Sequence, residues 1–197
     1  MTPQRDPPSV RGRPRQQAID EAILDATEQL LARRGYEAMT VEHVAAAAGV
    51  SKPTIYLRYR SKAELVAATV DRLLPPLDVP ASESAAKDLV ALIEIQRHWV
   101  ERHGLRIVAA VLLEQEDHPE LLDRFRQRVV RPVRNAFRDA LCRGIDRGEL
   151  RVGADSAEMI DAFTGAYWAR SWTADTPTRR WTTRLVADLL EGVRRQD

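Results

Sequence analysis

One cysteine, three phenylalanines and nine glycines in 197 residues leave little material for several common architectures. Cys142 on its own cannot form an internal disulfide, so the chain reads as one made for a reducing compartment, the cytoplasm. So little glycine and phenylalanine argues against a glycine-rich β-barrel or sandwich. Long apolar runs are missing too. Val44–Val50 and Ile107–Leu113 have seven residues each, whereas a membrane span takes ~20. The N-terminus carries arginines but no apolar stretch behind them, so no secretion signal is expected. Net charge is nearly absent, with 30 Lys and Arg against 29 Asp and Glu.

What charge there is falls unevenly. Residues 1–15 hold Arg5, Arg11, Arg13 and Arg15 against Asp6, and Ser51–Lys62 holds Lys52, Arg58, Arg60 and Lys62 with no acid. Residues 74–197 hold 19 basic and 20 acidic residues. Two basic patches in an otherwise balanced chain suit a nucleic-acid contact; a solvated basic face is the alternative.

Proline and glycine divide the chain. Four of the eleven prolines lie within residues 3–14, which predicts a flexible basic arm over 1–15. Pro75, Pro76 and Pro80 mark a second break, so a small module over 16–74 and a larger one over 82–197 are expected. Between breaks the apolar period is helical, with no strand-like alternation. Ile19, Ile23, Ala26, Leu30 and Leu31 make the stripe of a first helix that Gly35 stops. Val41, Val44, Ala45 and Ala48 make a short second helix ending at Gly49. Ser51 can cap a third with Pro53 in its first turn, and Ser61–Glu64 reads as a capping box for a fourth towards Leu74. Ser82 or Ser84 can cap the next of five further helices, at roughly 84–103, 105–117, 119–147, 156–173 and 177–195. The third of these contains Pro132, a candidate kink. The fold class is all-α.

Residues 41–60 have the spacing of a helix-turn-helix. Ala45 sits where two helices would cross and only a small side chain fits, and Gly49 sits where the turn demands a positive φ. Val44, Val50 and Ile55 then face inward, leaving Lys52, Thr54, Tyr56, Leu57 and Arg58 exposed. Such a third helix can enter a major groove.

The stretch Thr40–Leu65, TVEHVAAAAGVSKPTIYLRYRSKAEL, resembles the DNA-binding domain of the TetR family of bacterial transcriptional repressors. The resemblance implies that Thr40 touches phosphate, that Lys52, Pro53, Tyr56, Leu57 and Arg58 meet DNA, and that Lys62 is the phosphate-binding lysine. Ser51 and Thr54 complete the expected contact set, and Arg11 and Arg13 of the arm are candidates for the minor groove. Ile55 and Tyr59 fall on core positions. Pro53 replaces the commoner glycine, and Tyr59 the usual Phe or Trp. More loosely, RVVRPVRNAFRDALCRGIDRGELR (128–151) and GAYWAR (165–170) resemble an actinobacterial-type regulatory domain. That implies nine helices, an effector cavity in each subunit and a homodimer through the last two helices.

The apolar faces agree with this expectation. Leu92, Gln96, Trp99 and His103 on one helix, Val111 and Leu112 on the next, and Phe125, Val129 and Phe137 on the third are expected to line a cavity with Phe163 and Tyr167. Gln96 and His103 are polar members of an apolar stripe. They either bond their own surroundings or orient a mostly hydrophobic effector. Met159, Phe163, Trp181, Leu185 and Leu189 make the last two helices too broadly apolar for one core.

No catalytic set is expected. Ser84-Ala85-Ala86-Lys87 fits Ser-x-x-Lys without its partner motifs, and no histidine lies three residues after a glutamate. Glu114 and His118 lie four apart, next to a frayed end at Pro119. No metal or cofactor is expected. The chain thus reads as a ligand-responsive regulator of transcription, a dimeric repressor on a near-palindromic double-stranded operator, with no membrane partner. An activator of the same fold, or a helical small-molecule-binding dimer without DNA binding, remains open.

Overall fold

The computed structural model describes residues 13–73, 77, 81–173 and 177–194, with side chains from Gln16 onward. Arg11 and the prolines at 75, 76 and 80 lie outside the described residues. Two compact units result, residues up to Arg72 with Arg106–Leu122, and Leu73–Leu105 with Asp123 onward. Among the described residues there is no strand beyond a single bridge between Leu150 and Arg194. No described helix is long and apolar enough to cross a membrane.

The first unit holds α1 (Arg13–Ala38), α2 (Val41–Ala48), α3 (Lys52–Tyr56) and α4 (Lys62–Arg72). Residues 106–122, expected in the larger module, also belong to it, including nearly all of α6 (Leu105–Leu113). α1 starts at Arg13, so the end of the expected arm is helical, with Pro14 in the first turn where its missing N–H costs nothing. Gly35, at φ 77° and ψ 174°, breaks it as expected. The stripe behaves as read: Ile23, Ala26 and Leu31 are buried beside Val44, Ile55, Leu65 and Val66.

Caps fix the short helices. Thr40 Oγ1 accepts from His43 N–H while His43 Nδ1 accepts from Thr40 N–H, both at 3.3 Å. Ser61 Oγ accepts from Glu64 N–H at 3.1 Å, but the Glu64 carboxylate reaches the Arg60 N–H at 2.6 Å rather than that of Ser61. Arg72 ties α4 to α1 through Asp25 at 2.6 Å and Glu28 at 3.4 Å.

The second unit is built on α5 (Ala85–His103). α7 (Pro119–Phe125), whose first four residues belong to the first unit, runs through a π-helical turn, Arg126–Val130, into α8 (Arg131–Asp146), followed by α9 (Ala157–Thr173) and α10 (Arg179–Glu191). Counting 119–146 as one rod, the described residues form nine helices. The expected kink at Pro132 appears as the π turn just before it. Pro132 has no N–H to donate and its ring crowds the carbonyl one turn back, and the Arg131 N–H bonds five residues back to Arg126 O.

The expected serine cap of α5 is not the one used. Ser84 caps nothing with its side chain; the Ala85 N–H donates to Glu149 at 2.9 Å, and the Ser82 N–H donates to Asp88 at 2.8 Å. Leu89, Leu92, Ile93, Phe137, Leu141, Ile160, Phe163, Tyr167, Val186 and Leu190 make one buried core. Cys142 is half-buried, with its thiol 3.6 Å from Asp155 Oδ2.

Candidate nucleic-acid interface

The α2–α3 turn is made by Gly49 at φ 66° and ψ 30°, and the Val50 N–H returns to Ala45 O at 3.0 Å. Only glycine adopts that conformation without strain, so the angle between the helices is set by one residue. Ala45 is buried at the crossing with Val44 and Ile55, while Val50, expected to be clamped inside, is half-buried. Ser51 caps α3, accepting from the Thr54 N–H at 3.3 Å.

This arrangement leaves one face of α3 open. Ser51, Lys52, Pro53, Tyr56 and Leu57 are exposed, Leu57 by 85%, and Thr54 is half-buried with its hydroxyl 2.8 Å from Ser51 Oγ. Thr40 is exposed at the start of α2. Lys52 pairs with Glu42, whose carboxyl is lowered to about 2, chiefly by the hydrogen bond from that lysine. The pair is exposed, so a phosphate can replace Glu42 at little cost.

Arg58 is placed differently from the expectation. Its Nε donates to Asp20 at 2.5 Å and its Nη1 to Thr54 O at 3.0 Å, so the half-buried guanidinium bolts α3 to α1 instead of standing free on the surface. Lys62 is half-buried, with Nζ donating to Tyr36 O at 3.0 Å. Ile55 is buried, as a core position should be, whereas Tyr59 is only half-buried; burial, then the Asp20 charge, pushes the Tyr59 hydroxyl up. The side chain of Arg13 lies outside the described residues.

Two family models cover the chain, one described as bacterial regulatory proteins of the tetR family over residues 23–69, the other as the tetracyclin repressor-like C-terminal domain over residues 79–190. The chain belongs to the TetR family. It is 33% identical over 192 residues to an HTH-type transcriptional regulator of Bacillus subtilis (strain 168), YdeS, covering 94% of each chain. It is 28% identical over 171 residues to the DNA-binding transcriptional repressor TetR of Mycobacteroides abscessus, covering 86% of this chain and 90% of that one. Among solved structures, the transcriptional regulator FadR from Bacillus subtilis in complex with stearoyl-CoA superposes with a TM-score of 0.70 at 22% identity. That match covers 87% of this chain and 98% of the other and shares its fold. The protein is therefore an all-α TetR-family regulator with an N-terminal helix-turn-helix and a helical C-terminal domain.

In such a regulator the residues expected to line an effector cavity divide into groups. Leu92, Gln96, Trp99, Phe125, Val129, Phe137, Phe163 and Tyr167 are buried in the second unit. Phe137 and Phe163 stack at 6.1 Å between centroids, and Trp99 donates its Nε1–H to Leu73 O with His103 at 5.1 Å from its ring. Val111 and Leu112 lie in the first unit instead; Val111 is buried, but Leu112 is 46% exposed because Ile107, Ala110 and Val111 form the inward face of α6. A separate, basic cleft of about 420 Å³ opens on the π turn and α8, lined by Arg126, Val130, Arg131, Arg134, Asn135 and Arg138, none of them among the residues expected to line the effector cavity.

Two constellations were not foreseen. One is the Arg58–Asp20 bolt. The other joins Glu37, Glu114 and His118, whose ligand atoms lie within 4.8 Å of one another. The spacing of Glu114 and His118 was the only sequence signal for it.

Proposed function

We propose that the protein is a ligand-responsive repressor that binds a near-palindromic operator as a homodimer and is released by a mostly hydrophobic effector. The observation that carries the proposal is the open face of α3, where Lys52, Pro53, Tyr56 and Leu57 stand exposed on a helix capped by Ser51 and angled by Gly49. Ser51, Lys52, Pro53, Thr54, Tyr56 and Leu57 are assigned to base edges and phosphates, Thr40 and Lys62 to phosphate, and Arg11 and Arg13 to the minor groove. Arg58 is assigned to positioning α3. Repression rather than activation is favoured by the likeness to the Mycobacteroides abscessus repressor. Operator binding puts the protein in the cytoplasm.

Dimerisation through α9 and α10 is supported by apolar surface that one chain does not cover. Met159, Trp168, Trp181, Leu185 and Leu189 are half-buried and Trp172 is 72% exposed. Effector binding in the second unit is supported by a polar atom, Gln96 Oε1, buried with no hydrogen-bond partner among the described residues. An unpaired buried polar group costs ~1–3 kcal/mol, which a ligand's polar end can recover. The likeness to a regulator solved with stearoyl-CoA favours a long apolar ligand.

A gel shift on the protein's own upstream region tests this. A sequence-specific complex that an apolar compound dissolves is expected. The helical small-molecule-binding dimer predicts compound binding with no shift.

A further inference from the structure

We propose that Glu37, Glu114 and His118 form a site for one divalent transition-metal ion of the zinc type in the N-terminal unit. The three side chains come from the end of α1 and from the segment just beyond α6, all within one compact unit. Two carboxylates and an imidazole are a donor set suited to zinc and its neighbours, and three protein ligands leave one position for water.

Glu114 is the first sign of a missing partner. It is 8% exposed, and among the described residues no group donates a hydrogen bond to its carboxylate or lies within ion-pair distance. The neighbouring lysine, Lys62, directs its Nζ to Tyr36 O instead. Two carboxylates gathered at one place, one of them buried, repel one another unless a cation lies between them.

His118 is the second sign, and it is independent of the first. Its Nε2 faces Glu37 Oε1 at 3.6 Å, while its Nδ1 faces Glu120 Oε1 at 3.3 Å. An outer carboxylate on one ring nitrogen fixes the tautomer that leaves the other nitrogen's lone pair free, which is how metal-binding histidines are held. Tyr36 packs against the imidazole at 4.4 Å between centroids and limits its rotation. Ligand atoms around a tetrahedral ion at about 2.1 Å lie roughly 3.4 Å apart. The three ligand atoms already lie within 4.8 Å of one another, with His118 Nε2 and Glu37 Oε1 at 3.6 Å, and Glu37 is the exposed member.

The site also touches the DNA-binding machinery. Tyr36, adjacent to Glu37 in the chain, supplies the carbonyl and the ring face that hold Lys62. An ion at the site would fix the end of α1 that orients this lysine.

The test is calorimetric titration of the untagged, chelator-treated full-length chain with zinc chloride, and with magnesium chloride as a hard-cation control. One zinc per chain at micromolar Kd or tighter is expected, with a rise in Tm reversed by chelator. Glu37→Gln, on an exposed residue that leaves folding intact, and Glu114→Gln should each weaken zinc at least tenfold. Glu120→Gln should weaken it ~10-fold through His118. If Glu114→Gln fails to fold, Glu37→Gln decides. No zinc binding below ~100 μM, equal binding of magnesium, or full zinc affinity in Glu37→Gln overturns the proposal.

Discussion

Lys62 Nζ lies 3.0 Å from the carbonyl oxygen of Tyr36 and 4.0 Å from the centre of its ring. The lysine assigned to phosphate is thereby held at the C-terminal end of α1, with less rotamer freedom to lose when DNA arrives. Lys62→Ala should weaken binding to every duplex alike and lower the slope of log affinity against log salt by ~1. An unchanged slope and affinity would remove Lys62 from the interface.

Gly144 lies in α8 where a Cβ would sit 2.8 Å from Ala85 Cβ and 2.8 Å from Leu150 Cδ1. Leu150 can shift, but Ala85 starts α5 and its N–H is fixed by Glu149. Gly144→Ala should therefore destabilise the chain by ~1–3 kcal/mol, despite the better helix propensity of alanine. Denaturant unfolding measures it, and a gain in stability would show that α5 and α8 separate freely.

The helix-turn-helix was legible because its determinants are local. Ala45, Gly49 and Ser51 act within a few residues, through a crossing, a positive φ and a cap. The exposure of Arg58 was misread because its partner, Asp20, is on another helix, and no spacing rule connects them. The cap of α5 was misread for the same reason, since Glu149 arrives from beyond α8. Leu112 fell on a plausible apolar stripe, but α6 is apolar over most of its surface and periodicity alone could not orient it. Gln96 was legible as a polar residue in an apolar stripe, whereas its unpartnered oxygen depends on what surrounds it in three dimensions.

Asp88 is buried and pairs with Arg143 at 3.0 Å. Burial pushes its carboxyl up, but the Ser82 N–H and the Arg143 guanidinium outweigh that and hold it below its ordinary value of 3.8. A lowered folded value means that the stabilisation is complete above pH ~4 and lost as pH falls through the folded value. Asp88→Asn should cost about 2 kcal/mol at neutral pH, less than the removal of one partner from a fully buried pair, because Arg143 keeps contact with water. Its Tm should also fall less steeply than the wild type's between pH 4 and 2.5. Parallel curves would show that Asp88 does not carry this acid sensitivity.

Leu189 lies half-buried on α10 beside the equally half-buried Trp181 and Leu185. If that row is the dimer face, Leu189→Arg should yield particles near 22.3 kDa by light scattering, where the wild type gives twice that mass. Circular dichroism must show the variant still helical. A folded variant that stays dimeric would move the interface elsewhere.

Selection from a pool of random DNA duplexes tests the central claim most directly, because it needs no knowledge of the target gene. The purified chain should enrich one near-palindrome, with half-sites about one helical turn or a multiple of it apart, bound at least ~10³-fold more tightly than unselected DNA at physiological salt. A pool that shows no consensus after repeated rounds, with affinity set by salt alone, would contradict the assignment of the protein as a sequence-specific regulator.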